Sequence, residues 1–146
     1  MKSYKGIFRP RNPEKYKGDA QNIIWRSSLE LRFMKYLDEN TNVIEWSSEE
    51  VIIPYISPKD GRYHRYFPDF VFKVKDANDK VKTIMVEVKP KSQTMEPKKQ
   101  SKKTRKYLTE VMTWGVNQAK WKAAEEYCKD RLWEFKILTE EHLGVK

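Results

Sequence analysis

The sequence has little of several residues that would indicate particular kinds of site. It holds one cysteine in 146 residues, which excludes an internal disulfide. The two histidines and that cysteine do not have the spacing of a Cys/His zinc cluster, so any metal would need oxygen ligands. No apolar run approaches the roughly 20 residues that span a bilayer, and MKSYKGIFRP has no apolar signal core. We therefore expect neither a membrane segment nor a standard export signal.

What the sequence does have is positive charge and aromatic residues. Thirty Lys and Arg against 21 Asp and Glu give a net charge of +9, which indicates a polyanionic partner and favours nucleic acid. The hydrophobic fraction of 38% is enough to form a core, and 146 residues suit one domain. We expect a single domain over residues 1–146.

The first half of the chain predicts a basic arm, a helix and several strands. Residues 1–22 mix Lys and Arg with aromatics, Pro and Gly, which predicts an irregular arm. Over 27–39, Glu30, Phe33, Met34 and Leu37 recur at helical spacing and share one face. Strand-like runs then cover 43–46, 51–55, 63–74 and 81–89, with turns at 57–61 and 76–79.

The second half predicts a basic connection, a helix and a last strand. Residues 91–106 hold seven basic side chains against Glu96 alone, which predicts a flexible or weakly helical connection. Residues 117–131 are predicted helical, with Trp121, Ala124 and Cys128 on one buried stripe, and 133–138 is the last strand. The order helix, strands, helix, strand predicts an α/β fold with a central mixed sheet flanked by helices.

One strand carries a carboxylate and an ammonium on the same face. Alternate side chains of a strand share a face, so Glu87 and Lys89 project together and Val86 and Val88 project oppositely. A hairpin closed by 76–79 brings Asp69 near this strand. The tightest turn would pair Asp69 with Val86, so we expect a bulge or a one-residue shift that aligns the two carboxylates.

Two carboxylates beside a lysine suit the metal-dependent hydrolysis of a phosphodiester. Hard oxygen ligands hold Mg²⁺, or Mn²⁺ as an alternative, and the ion activates water and neutralises charge on the phosphate. Lys89 would orient or deprotonate that water, or stabilise the transition state. Tyr63, His64, Tyr66 and Phe67 are expected to be strand and core residues.

The motif Pro68-Asp69, followed after 17 residues by Glu87-Val88-Lys89, resembles the PD-(D/E)xK nuclease superfamily. The helix start Ser27-Ser28-Leu29-Glu30 and the stretch 135–140 are similar to TnsA-type transposon endonucleases. Phage junction-resolving nucleases also carry a metal-binding Glu on this helix. The resemblance implies a restriction-endonuclease-like fold and a catalytic set of Glu30, Asp69, Glu87 and Lys89, with the metal held by Glu30, Asp69 and Glu87.

Over nearly the whole chain, including 8–13 and 63–70, the sequence resembles head-completion proteins of T-even-type tailed phages. Those proteins act when DNA packaging ends. The resemblance implies DNA as a partner, phage head or portal proteins as further partners, and the host cytoplasm or the virion as location. The expected DNA-binding residues are Arg9, Arg11, Lys91, Lys98, Lys99, Lys102, Lys103, Arg105, Lys106 and Lys120.

Three alternatives stay open at this point. Ser27 and Glu30 also fit a helix capping box, in which the Glu30 carboxylate would bond the cap amide. A non-enzymatic virion protein could use the same fold to grip DNA or a portal, although carboxylates beside a phosphate-binding surface favour an enzyme. An RNA-binding ribosomal-type protein fits the charge but does not explain the buried carboxylates.

Overall fold

A computed structural model describes residues 5–144, which contain eight strands and two α-helices. In chain order these are β1 Gly6–Phe8, β2 Ile23–Trp25, α1 Ser28–Glu39, β3 Val43–Ser48, β4 Ile53–Ile56, β5 Tyr63–Tyr66, β6 Phe70–Lys75, β7 Val81–Val88, α2 Arg105–Asp130 and β8 Glu134–Leu138. Of the described helices, none combines the length and apolar character needed to cross a membrane.

The main sheet has four strands in the order β3-β6-β7-β8. Its first three strands are antiparallel neighbours, whereas β8 runs parallel to β7. A parallel neighbour requires a long crossover, which α2 and the segment before it provide. The predicted mixed α/β fold is confirmed. Two ribbons, β1-β2 and β4-β5, lie outside this sheet.

The two faces of β7 contact different helices. Val86 and Val88 belong to the core that includes Phe33 and Leu37 of α1. Met85 belongs to a second core, which includes the predicted α2 stripe of Trp121, Ala124 and Cys128. Alternation along the strand therefore places α1 on one face of the sheet and α2 on the other, as predicted.

The predicted strand over 63–74 is wrong as one element, because it is two strands in different sheets. β5 pairs with β4, whereas β6 pairs with β3 and β7. The break falls at residues 67–69, where Pro68 has no N–H to donate to a strand ladder. This break lets β5 leave the main sheet immediately before Asp69.

The loop between β6 and β7 decides the register of the hairpin. It spans 76–80, one residue more than the predicted 76–79, because Lys75 pairs with Val81. The Asp76 carboxylate accepts from the backbone N–H groups of residues 78 and 80, and Asp79 has a φ of 60°. The extra residue makes Phe70 pair with Val86. The expected one-residue shift is therefore present, and the loop produces it.

The second helix is longer than predicted, beginning at Arg105 and not at residue 117. Thr104 caps it by accepting from the N–H of Tyr107. Arg105 and Lys106 thus belong to the first helical turn, so the predicted basic connection ends at residue 104. The apolar residues of these early turns stand at helical spacing but are exposed; they are Leu108, Val111 and Met112.

The predicted irregular arm over 1–22 is wrong for part of its described residues. Residues 1–4 lie outside the described residues, but β1 and a 3-10 turn at Pro13–Lys15 follow, and Phe8 and Tyr16 are buried. Lys15 Nζ lies 2.7–2.9 Å from three backbone carbonyl oxygens where α1 ends, those of Leu37, Asp38 and Asn40. Lys15 therefore closes the end of a helix, where cations are stabilised.

Candidate active site

The hairpin brings Asp69 and Glu87 together. Phe70 pairs with Val86, so one step further along each strand sets Asp69 opposite Glu87. Asp69 Oδ2 accepts from the backbone N–H of Val88 at 2.7 Å. Glu87 is 4% exposed, and its Oε1 accepts from the Tyr66 hydroxyl at 2.8 Å. Two of the predicted metal ligands thus lie side by side at the end of the sheet.

Burial and mutual repulsion disfavour a second negative charge in this pair. Burial, and then the charge of Glu87, raise the pKa of Asp69 well above its ordinary value. The hydrogen bond from the Val88 N–H and, to a smaller extent, the charge of Lys89 oppose this shift without cancelling it. Such a pair is stabilised by a cation, because a cation compensates both carboxylates at once.

Lys89 lies at the open side of Glu87. Its Nζ is 3.4 Å from Glu87 Oε2, and its side chain is 29% exposed. The backbone N–H of Lys89 donates to the carbonyl of Leu138, which fixes the end of β7 against β8. The amine therefore lies between the Glu87 carboxylate and solvent, and it shares a face with Glu87 as the strand alternation predicts.

Glu30 approaches the pair from the first turn of α1. Its backbone N–H donates to Ser27 Oγ at 3.1 Å, which is one half of the capping box. No bond from the Ser27 N–H to the Glu30 carboxylate is found in the described part of the chain. Burial raises the pKa of Glu30, the Ser27 side chain lowers it, and the charge of Glu87 contributes a further, smaller rise. Glu30 therefore shares the electrostatic environment of the pair.

The three carboxylates do not form a closed metal cage. Within residues 5–144, no three His, Cys, Asp or Glu side chains lie close enough together to hold an ion. Asp69 and Glu87 nonetheless offer the oxygen donors that hard divalent cations prefer, at a place where a half-buried and a buried carboxylate lie together. The donor chemistry fits Mg²⁺ or Mn²⁺, and Glu30 would have to move to join the other two.

Lys120 of α2 lies beside the same carboxylates. Its Nζ is 5.9 Å from the ring centre of Tyr55 and 5.7 Å from that of Tyr66. Burial and the neighbouring Lys89 lower the pKa of Lys120, whereas Glu87 and Asp69 raise it. The structure thus brings this expected DNA-binding lysine to the candidate site.

The other expected DNA-binding residues differ in their surroundings. Lys91 Nζ lies 2.8 Å from a Glu141 carboxylate oxygen, and this contact raises the pKa of Lys91. An Arg11 guanidinium nitrogen lies 3.8 Å from a carboxylate oxygen of Glu39. Glu39 is at the far end of α1, about 13 Å along the helix from Glu30. The side chains of the remaining expected DNA-binding residues are exposed; these residues are Arg9, Lys98, Lys99, Lys102, Lys103, Arg105 and Lys106.

Two features of the site have no signal in the sequence. The Tyr66 hydroxyl bonds a buried carboxylate, but Tyr66 stands within an apparently continuous strand. Arg26, which precedes the Ser27 cap of α1, forms an ion pair with Glu49. The backbone N–H of Glu49 donates to the carbonyl oxygen of Asp69, and the φ of Glu49 is 54°. Both contacts join segments that are distant in sequence, so periodicity does not reveal them.

The chain is similar to known proteins over most of its length. Residues 40–140 match the family described as TnsA-like endonuclease N terminal. The head completion nuclease of Enterobacteria phage T4 is 37% identical over 145 residues, covering 97% of this chain and 94% of that protein. The family match includes Asp69, Glu87 and Lys89, and the longer alignment spans nearly the entire chain. The resemblance seen in the sequence is confirmed, and the chain belongs to the TnsA-like endonuclease family.

Proposed function

We propose that the protein is a metal-dependent DNA endonuclease that hydrolyses phosphodiester bonds when phage heads are completed. The observation that carries this proposal is the pair formed by half-buried Asp69 and buried Glu87, with Lys89 at its open side. A binding protein has no need of two adjacent carboxylates near its basic surface, because they repel phosphates.

Each residue has a distinct role in this proposal. Asp69 and Glu87 would hold a Mg²⁺ or Mn²⁺ ion, and Glu30 would move to complete its ligands. When bound, the ion acts as a Lewis acid that activates the attacking water and neutralises phosphate charge. Lys89 orients that water or stabilises charge in the transition state. Lys120 contacts a phosphate beside the scissile bond, since its ammonium lies next to the carboxylates.

The biological setting rests on the relative. A head completion nuclease of phage T4 aligns with 97% of this chain. We infer the same setting here: an infected host cell, with the protein in the cytoplasm or associated with the virion, and phage head or portal proteins as partners. DNA is the substrate in this proposal.

The direct test is cleavage with and without metal. Purified protein is incubated with linear, branched and single-stranded DNA in Mg²⁺ or Mn²⁺, and we expect cleavage that excess EDTA abolishes. Metal binding is measured in parallel by calorimetry without DNA. If no substrate is cut and no metal binds, the protein is a non-enzymatic DNA-gripping protein.

The basic connection is expected to supply phosphate contacts that do not depend on sequence. Changing Lys98, Lys99, Lys102 and Lys103 together to Gln should weaken DNA binding. Each lost phosphate contact reduces the slope of log affinity against log salt by about 0.9, so the slope should flatten by about 3 to 4. Fluorescence anisotropy with labelled duplex at several salt concentrations measures both effects.

A matched control carries the same charge change elsewhere. Lys73, Lys75, Lys80 and Lys82 are exposed at the loop end of the β6–β7 hairpin, away from Asp69 and Glu87. Changing these four to Gln should reduce the slope much less. Equal slopes for the two variants would show that only net charge matters and that the connection makes no specific contribution.

A further inference from the structure

Tyr66 links a two-stranded ribbon to the candidate site. It is the last residue of β5, it is 4% exposed, and it packs in the core beneath α2. Its hydroxyl donates to Glu87 Oε1 at 2.8 Å in a buried contact between strands of different sheets. A tyrosine whose ring is fixed in the core holds its hydroxyl in a defined place, so this donor is rigid.

The bond makes the two oxygens of Glu87 unequal. Oε1 is held by Tyr66, whereas Oε2 faces the Lys89 ammonium at 3.4 Å. Asp69 is held in the same way, with Oδ2 bonded to the Val88 N–H and no protein donor to Oδ1 among the described hydrogen bonds. Each carboxylate thus has one oxygen fixed by a hydrogen-bond donor. Among the described contacts, Asp69 Oδ1 has no donor, and Glu87 Oε2 has only the Lys89 ammonium, which an ion would have to displace.

We propose that Tyr66 is a positioning residue that orients Glu87 so that Oε2 is presented to the metal ion. This inference rests on the proposed function, because it concerns the same metal site. Donors that hold a metal-binding carboxylate contribute to metal affinity, since they fix the ligand before the ion binds. The β4-β5 ribbon therefore completes the site, although it lies outside the main sheet.

The neighbouring Tyr55 offers a matched control. The rings of Tyr55 and Tyr66 both face Lys120 at 5.7–5.9 Å, and both side chains are buried. Their hydroxyls differ, because that of Tyr66 bonds Glu87 whereas that of Tyr55 lies by Ser57. Tyr66→Phe and Tyr55→Phe each remove one hydroxyl and keep the ring beneath Lys120.

The experiment measures Mn²⁺ binding to each protein by calorimetry without DNA, together with thermal unfolding. We expect Tyr66→Phe to raise the Kd for Mn²⁺ about tenfold or more, and Tyr55→Phe to leave it unchanged. In cleavage assays Tyr66→Phe should need more Mn²⁺ for half-maximal rate, and most of the rate should return at saturating metal. A purely structural role for the hydroxyl would lower the melting temperature without this change in metal dependence.

The possible failures are distinguishable. If wild-type protein binds Mn²⁺ and Tyr66→Phe binds it equally well, the positioning role is wrong and the proposed function stands. An equal loss in Tyr55→Phe also overturns the positioning role, because the effect would then come from the ribbon as a whole. If wild-type protein binds no Mn²⁺, both the metal-dependent function and the role of Tyr66 are rejected.

Discussion

Replacing Asp69 with asparagine is expected to abolish DNA cleavage and to leave DNA binding unchanged or tighter. In the proposed mechanism Asp69 is a metal ligand, and an amide is a poor ligand for a hard divalent cation. We expect the cleavage rate to fall by about 10³-fold or more. Affinity for DNA should not fall, because a negative charge near the phosphates has been removed.

The fold should tolerate this change. Asparagine keeps an oxygen that can accept from the Val88 N–H, as Asp69 Oδ2 does. Because burial and Glu87 raise the pKa of Asp69, the folded protein binds this proton more tightly than the unfolded chain. In metal-free wild-type protein, the free energy of unfolding should therefore fall as the pH rises from the ordinary aspartate pKa to the raised pKa of Asp69 in the folded state. The asparagine variant lacks that loss and should be at least as stable at neutral pH.

The measurements are cleavage under single-turnover conditions, DNA affinity by anisotropy, and urea unfolding without metal. Asp79→Asn is the control, since it makes the same change in the loop at the other end of the hairpin. Asn tolerates the positive φ of 60° at that position. Full cleavage activity in Asp69→Asn would remove the central argument for the enzyme. Lost DNA binding would instead indicate a misfolded variant.

Replacing Lys89 with methionine should abolish cleavage while metal binding is kept. Methionine preserves the length and apolar stem of the side chain but removes the ammonium. The amine acts on water or on transition-state charge and is not a ligand, so the rate should fall by about 10² to 10³-fold. Metal affinity should be equal or higher, because the Nζ that lies 3.4 Å from Glu87 Oε2 no longer competes with the ion.

Calorimetry with Mn²⁺ and cleavage at saturating Mn²⁺ separate these two effects. Lys82→Met is the control, because Lys82 is an exposed lysine near the other end of β7. A Lys89→Met protein that loses metal binding would show that Lys89 supports the metal site itself. A variant with wild-type rates would exclude any role of the amine in the chemical step.

The sequence by itself determined which face of each strand or helix carries the candidate site residues. Strand alternation separated Glu87 from Val86 and Val88, and helical spacing placed Glu30 on the apolar face of α1. These signals are local, because side-chain direction in a strand or helix follows from the backbone repeat. The family motif lies at one end of a single hairpin, since Pro68-Asp69 immediately precedes β6 and Glu87-Val88-Lys89 is at the end of β7.

Helix and strand bounds were less secure where local signals were weak. The first three turns of α2 follow a strongly basic segment and pack no buried stripe, and the sequence prediction covered only the second half of the helix. The arm was predicted irregular because its residues are mostly basic, yet Lys15 uses its charge on the carbonyls that end α1. Composition does not distinguish a lysine that binds phosphate from one that caps a helix.

Tertiary structure alone decided how the candidate site is completed. The five-residue loop set the register that aligns Asp69 with Glu87, and loop length is not fixed by the flanking pattern. Because the strand breaks at Pro68, β5 pairs with β4 and not with the main sheet. In that position the Tyr66 hydroxyl donates to the Glu87 carboxylate. The long α2 brought Lys120 to the same carboxylates. These contacts join residues 18 to 51 positions apart, where close approach depends on how strands and helices pack and not on any local repeat.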